Sequence, residues 1–174
     1  MLAPDFVGRE LHRAVRHLGE AQGLLEDTLG FSSASQVGPG DRITTRELRG
    51  DRRGNFYAYE APPPERAMQG AGSVHHVAWA SHPDDQETWH KKVIAAGARA
   101  TPIIDRYYFR SIYFREPSGV LFEIATIGPG FTVDEPLDQL GEKLSLTPQY
   151  EHLRAEIEPT LTPLRNPRDS WAKR

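Results

Sequence analysis

Apolar and polar positions alternate along this chain in two series that repeat one order of elements. The first series opens on a weak strand pattern at 11–15. A helix is expected over 17–29, with Leu18, Leu24, Leu25 and Leu29 on one stripe and Gly30 as its stop. Strands are expected at 33–37, 42–48 and 55–60, separated by the turn-forming stretches GPGD and RGDRRGN. The segment APPPERAMQGAG, 61–72, reads as a linker by its Pro and Gly content. The pattern then restarts with a strand at 73–80 and a helix at 83–96 ended by Gly97. A strand at 98–104 and a hairpin of strands 107–115 and 119–126 around EPSG complete it. Each series is strand, helix, then three strands, a βαβββ unit of about 50 residues, and a repeat of that kind constrains the fold more than any single motif. The fold class expected is therefore α+β.

The segments divide the chain into an extension at 1–10, a domain at 11–126 made of units 11–60 and 73–126, and a tail at 127–174. In the tail a short helix is expected over 137–143. A second is expected over 148–157, with Thr147 as its cap and Pro148 as its first residue. The final NPRDSWAKR reads as frayed.

Two strands carry residues that need a chemical explanation. In GSVHHVAWA, side chains alternate between faces, so His76, Ala78 and Ala80 share one face and His75, Val77 and Trp79 the other. The bulky face suits packing under a helix, whereas the alanines leave room beside His76. In GVLFEIAT, Glu123 interrupts an apolar strand and shares a face with Leu121 and Ala125. A buried carboxylate needs a partner or a metal. Imidazole plus carboxylate with open positions suits Fe(II) or Mn(II) better than a closed structural zinc site. Taken singly, each has an ordinary reading: a satisfied strand histidine, an edge glutamate. Together, on the first and last strands of one unit, they reinforce each other. On the neighbouring strand Phe109, Ser111 and Tyr113 share a face, and Tyr113 can offer its phenol to an oxygenated substrate. Arg106 can supply fixed positive charge, or it is a solvated loop residue. His17, His82, His90 and His152 read as surface residues.

Composition narrows the field. The chain has 174 residues and a formal net charge of −3, which leaves no general nucleic-acid footprint. It has no cysteine, which excludes disulfides, thiolate ligands and cysteine nucleophiles and suits a cytoplasmic location. No apolar run is long enough to span a membrane, and the charged start MLAPDFVGRELHR does not read as a signal peptide.

Three stretches, GAGSVHHVAWA, TPIIDRYYFRSIYFREPSGVLFEIAT and GPGFTVDEPLDQLGEKLSL, resemble ring-cleaving dioxygenases of the vicinal oxygen chelate (glyoxalase/bleomycin resistance/dioxygenase) superfamily. The hydroquinone-type enzymes are the most similar group. The resemblance runs from about Leu11 to Leu164 and is densest from Gly70 to Leu146. It implies a glyoxalase-like open β barrel and an Fe(II) ion, with Mn(II) as the alternative, held by two histidines and one glutamate. The second His of the HH pair matches His76 and the Glu of the FE pair matches Glu123, in agreement with the strand parity. The family's neighbouring site residues fall on His75, Arg106 and Tyr113, implied to position the substrate and assist proton transfer. The substrates implied are a small aromatic diol and O2.

The chain departs from the family in length. Family members have four βαβββ units, and this sequence matches the C-terminal two. The remaining ligand of the hydroquinone group comes from the missing half, and His12 in ELHRAV is the one residue here in a comparable strand position. The third ligand is thus His12, a residue of another chain, or missing. Exposed sheet edges where a missing half would dock favour a homodimer. Three other readings stand beside the dioxygenase: a glyoxalase-like lyase or isomerase, a metal-free binding module, and a non-catalytic half with an incomplete site.

Overall fold

Pairing between distant strands, rather than local propensity, sets the ends of most elements. The computed structural model describes residues 11–14, 23–36, 43–49, 54–60, 70–71, 73–165 and 170, with backbone alone for 11–14, 33–36, 43–49, 54–56 and 58–60. The chain divides into two units, Met1–Gly128 and Pro129–Arg174.

The first unit has an α+β fold with two four-stranded sheets. One sheet holds β1 (Leu11–Ala14), β2 (Ser32–Gln36), β3 (Ile43–Arg49) and β4 (Gly54–Glu60), in the order β1-β4-β3-β2. The other holds β5 (Val77–Ser81), β6 (Ile104–Asp105), β7 (Arg110–Arg115) and β8 (Leu121–Thr126), in the order β5-β8-β7-β6. In each sheet the first strand runs parallel to the last, which pairs antiparallel with the third. The repeated strand order expected from the sequence is thus present, as two open sheets and not one closed barrel.

The register of the second sheet repeats that of the first. Leu11 lies opposite Tyr57 in one, and Val77 opposite Phe122 in the other. One position further on, His12 faces Ala58 and Ala78 faces Glu123. Ala58 therefore occupies in the first sheet the place that Glu123 occupies in the second.

One face of the second sheet builds the core. Trp79, Ile112, Phe114, Phe122 and Ile124 are buried against Leu24, Leu25, Leu29, Phe31 and Tyr57 of the first βαβββ segment. Ring contacts join the two segments: Phe31 meets Trp79 edge-on at 5.0 Å between centroids, and Tyr57 meets Phe122 at 5.4 Å. Helix α1 (Gln86–Ala95) covers this face with Trp89 and Val93. Gln86 is fully buried, takes the Ser81 hydroxyl on its amide oxygen at 2.8 Å, and donates to the Ile124 carbonyl at 2.9 Å. A buried amide must be satisfied in this way, and here it bolts the helix to β8. Gly97, at φ 86°, ends the helix, with Ala98 N–H reaching back to the Val93 carbonyl as a Schellman closure requires.

Several boundaries differ from expectation. Of the helix expected over 17–29, the described part is a π-helical turn, Gly23–Thr28. Residues 15–22, the loop GPGD, most of the linker 61–72 and most of the last nine residues lie outside the described set. The strand expected at 98–104 shrinks to Ile104–Asp105. There the Thr101 hydroxyl, not a main-chain carbonyl, accepts the Tyr113 N–H at 3.0 Å, and Pro102 has no N–H to continue a ladder.

The second unit is built of short turns. They are 3-10 segments at Phe131–Val133, Leu137–Gln139, Pro148–Leu153 and Glu158–Thr160, and a single turn of helix, α2 (Arg154–Ile157). Thr147 precedes Pro148 as expected, but its side chain makes no cap. The 3-10 start sends Tyr150 N–H to the Thr147 carbonyl at 2.8 Å instead. Arg154 organises this stretch by donating to Glu151, Glu158 and the Leu144 carbonyl. Among the described residues no helix is long and apolar enough to cross a membrane.

Candidate metal centre

The face of the second sheet opposite the core carries the residues of chemical interest. Because Val77 and Trp79 join the core side with Phe122 and Ile124, the alternate positions Ala78, Ala80 and Glu123 fall on the other face. Glu123 sits mid-strand between Ala78 of β5 and Tyr113 of β7, its partners in register. It is 3% exposed, so each carboxylate oxygen needs a partner. Oε1 accepts the Ser111 hydroxyl at 2.5 Å and the Tyr113 phenol at 2.7 Å. Oε2 lies 2.8 Å from His76 Nε2.

His76 stands one residue before β5 and is half-buried. Its other nitrogen, Nδ1, lies 2.9 Å from Nδ1 of His75, so one ring must donate and the other accept.

Tyr113 packs its ring edge-on to His76, at 6.0 Å between centroids. The Arg106 guanidinium lies over the Tyr113 ring at 5.4 Å, within cation–π range. Burial pushes the Tyr113 phenol above its ordinary range, and the hydrogen bond to the Glu123 carboxylate adds to that rise. Ser111 and Arg106 pull in the other direction without cancelling it. The phenol is thus kept protonated, as a hydrogen-bond donor must be.

A strained turn delivers Arg106. Its N–H bonds the Phe109 carbonyl at 2.8 Å, closing the tip between β6 and β7. Inside that tip Tyr107 adopts φ 70°, the one non-glycine residue at positive φ among those described. The Asp105 carboxylate accepts the Tyr107 N–H at 2.7 Å and holds the turn.

Five of the six residues selected from the sequence converge here: His75, His76, Arg106, Tyr113 and Glu123. The sixth, His12, lies in β1 of the other sheet, and its side chain is outside the described set. By register it corresponds to Ala78, two positions beyond the place of His76. Of the histidines read as surface residues, His82 and His152 are exposed, His90 is half-buried on α1, and His17 is outside the described set. Ser111 escaped selection. Its signal was present, since it shares a strand face with Tyr113 and lies two residues away.

The donor set fits a divalent ion in part. Two ligand atoms held about 2.1 Å from one ion at right angles are about 3.0 Å apart. The 2.8 Å between His76 Nε2 and Glu123 Oε2 is close to that separation. Among the described residues no third His, Asp or Glu joins them.

Comparison with known proteins adds an independent line. A family model described as Glyoxalase/Bleomycin resistance protein/Dioxygenase superfamily matches residues 10–124. The "Putative ring-cleaving dioxygenase MhqA" of Bacillus subtilis is 41% identical over 145 residues, 81% of this chain and 46% of that protein. The "Chlorohydroquinone/hydroquinone 1,2-dioxygenase" of Sphingobium indicum is 37% identical over 106 residues, 59% of this chain and 32% of that protein. A crystal structure of a "putative dioxygenase" from Bacillus subtilis superposes with a TM-score of 0.80 at 37% identity, covering 90% of this chain and 49% of that one. The chain therefore spans half or less of the length of each of these three proteins.

Proposed function

The chain belongs to the glyoxalase/bleomycin resistance protein/dioxygenase superfamily, and on that premise we propose that it is the metal-binding half of a ring-cleaving dioxygenase for hydroquinone- or catechol-type diols. The observation that carries this reading is the buried Glu123 carboxylate, whose Oε2 meets His76 Nε2 at 2.8 Å while hydroxyls occupy Oε1.

His76 and Glu123 would hold Fe(II), or Mn(II), with the third donor coming from His12 or from another chain. When bound, the ion supplies a Lewis acid for the diol oxygen and a route for electrons from the diol to O2. Tyr113 donates its phenol proton at the edge of the site, toward a diol oxygen. Arg106 places fixed positive charge over the Tyr113 ring and stabilises the anionic form of the diol. His75 exchanges a proton with His76 Nδ1 and so sets the tautomer in which Nε2 carries a free lone pair.

A second reading is favoured by one observation: among the described residues no third donor completes the pair. In that reading the site is finished by another polypeptide, a second copy of this chain in a homodimer.

Anaerobic loading with Fe(II), a metal count, and O2 uptake with hydroquinones and catechols separate these outcomes. One equivalent of iron with uptake supports the dioxygenase. Iron without uptake supports the incomplete half, and the mass in solution then tests the dimer. A His76→Ala variant that binds iron as tightly as the parent sinks the metal reading.

A further inference from the structure

We propose that Ser111 is the residue that keeps Glu123 aimed, so that Tyr113 can turn its hydroxyl to the substrate without releasing the carboxylate. The inference rests on the reading above in one respect, that Glu123 Oε2 is a metal donor.

Both hydroxyls point at the same oxygen. A carboxylate oxygen has two acceptor sites, and Oε1 fills both, with Ser111 at 2.5 Å and Tyr113 at 2.7 Å. Oε2 is left for the side on which His76 stands. The arrangement enforces coordination through one oxygen, since turning the carboxylate to offer both would break two hydrogen bonds in a buried place.

The two donors are not equivalent. Ser111 is 0% exposed, and its short side chain spends its one O–H on Glu123. It sits on β7 opposite Ala125, the next residue but one from Glu123 on β8, so the pairing of the strands fixes its distance. Tyr113 is half-buried, edge-on to His76 and beneath Arg106, and it reaches Glu123 at the end of a long side chain. Rotating the phenol toward a bound diol breaks one of the two bonds on Oε1. With Ser111 in place the other persists. Without it, the same movement frees Oε1 and with it the orientation of the metal-facing oxygen. Ser111 is therefore a positioning residue and Tyr113 the one that meets substrate.

The test uses Co(II) alone as a redox-stable probe, titrated into the full chain and followed by its visible absorption. Ser111→Ala is expected to weaken Co(II) binding about 10–100-fold, the usual loss when a partner of a metal ligand is removed. Ser111→Thr, which keeps the hydroxyl, is expected to restore most of it. Tyr113→Phe is expected to change Co(II) affinity only slightly while lowering O2 uptake of the iron-loaded protein. Infrared spectra with 13C-labelled Glu, recorded with hydroquinone bound, give a second readout: the splitting of the carboxylate stretches narrows in Ser111→Ala, where the turned phenol leaves Oε1 free to ligate. Thermal melting of the metal-free variants separates these effects from unfolding, which would lower stability without changing the splitting. Parent-like Co(II) affinity and splitting in Ser111→Ala overturn the inference and leave the metal reading standing. So does a Tyr113→Phe variant that loses as much affinity as Ser111→Ala. A parent protein that binds no Co(II) overturns both.

Discussion

Replacing Glu116 by alanine tests how the hairpin that carries Ser111, Tyr113 and Glu123 is held closed. Glu116 opens the turn between β7 and β8 and is 1% exposed. Its carboxylate accepts Val120 N–H at 2.8 Å and Ser118 N–H at 3.1 Å, and it also takes the Ser118 hydroxyl. The main chain closes the same turn, from Glu116 N–H to the Val120 carbonyl and from Gly119 N–H, at φ 88°, to the Glu116 carbonyl. Alanine leaves the buried Val120 N–H without that acceptor, at about 1–3 kcal/mol, and removes the half-buried bonds to Ser118, at about 0.5–1.5 kcal/mol. The sum is about 1.5–4.5 kcal/mol. With a urea m-value of about 2 kcal/mol/M, the unfolding midpoint should fall by about 1–2 M at constant m. Glu116→Gln keeps an oxygen for Val120 but turns an N–H2 toward Ser118 N–H, so it should lose about half as much. A midpoint within about 0.3 M of the parent for Glu116→Ala would refute the reasoning. So would a glutamine variant as unstable as the alanine one.

Three further outcomes are expected. Tyr107→Gly should raise the urea midpoint, because a residue with a Cβ at φ 70° carries about 1 kcal/mol of strain that glycine lacks; a lower midpoint would show that the tyrosine ring outweighs that strain. Ile112→Ala, at a fully buried position of β7, should destabilise by about 2–5 kcal/mol in the same assay. The Arg154 guanidinium holds the Glu151 carboxyl below its ordinary range. Because that pKa is depressed in the fold, the contribution of the pair is complete above the ordinary carboxylate range and is lost as pH falls through the lowered value. An NMR titration of Glu151 should therefore move to higher pH in Arg154→Ala, and an unchanged curve would rule the pair out as the cause.

Strand parity made the chemical face legible in advance. Alternation in GVLFEIAT assigns Glu123 to the side away from Phe122 and Ile124, because the period of a strand is two whatever its partner; His75 and His76 precede β5, where the alternation expected to part them does not hold, and their rings touch. Ends of strands were less legible because they depend on partners far away in sequence. The strand expected from residue 73 begins at Val77, which pairs with Phe122 close to the start of β8 at Leu121. Residues 98–103 look like a strand by their apolar content, yet Thr101 bonds Tyr113 through its hydroxyl and Pro102 stops the ladder. Ser111 and Glu116 were hidden for another reason. A buried serine and a turn glutamate are ordinary residues in a sequence, and only the direction of their hydrogen bonds marks them out.

The mixed order of the second sheet also sets a sequence of events for the folding chain. β7 and β8 are joined by a tight turn, so Ser111, Tyr113 and Glu123 come together through a short loop closure. β5 must find β8 in parallel, with Val77 and Phe122 separated by 45 positions, and such non-local pairing forms slowly. By loop length alone, the carboxylate cradle closes more readily than the parallel pairing that brings up the imidazole. An ion that needs both would bind only after this pairing, so its capture would report on the docking of β5 against β8.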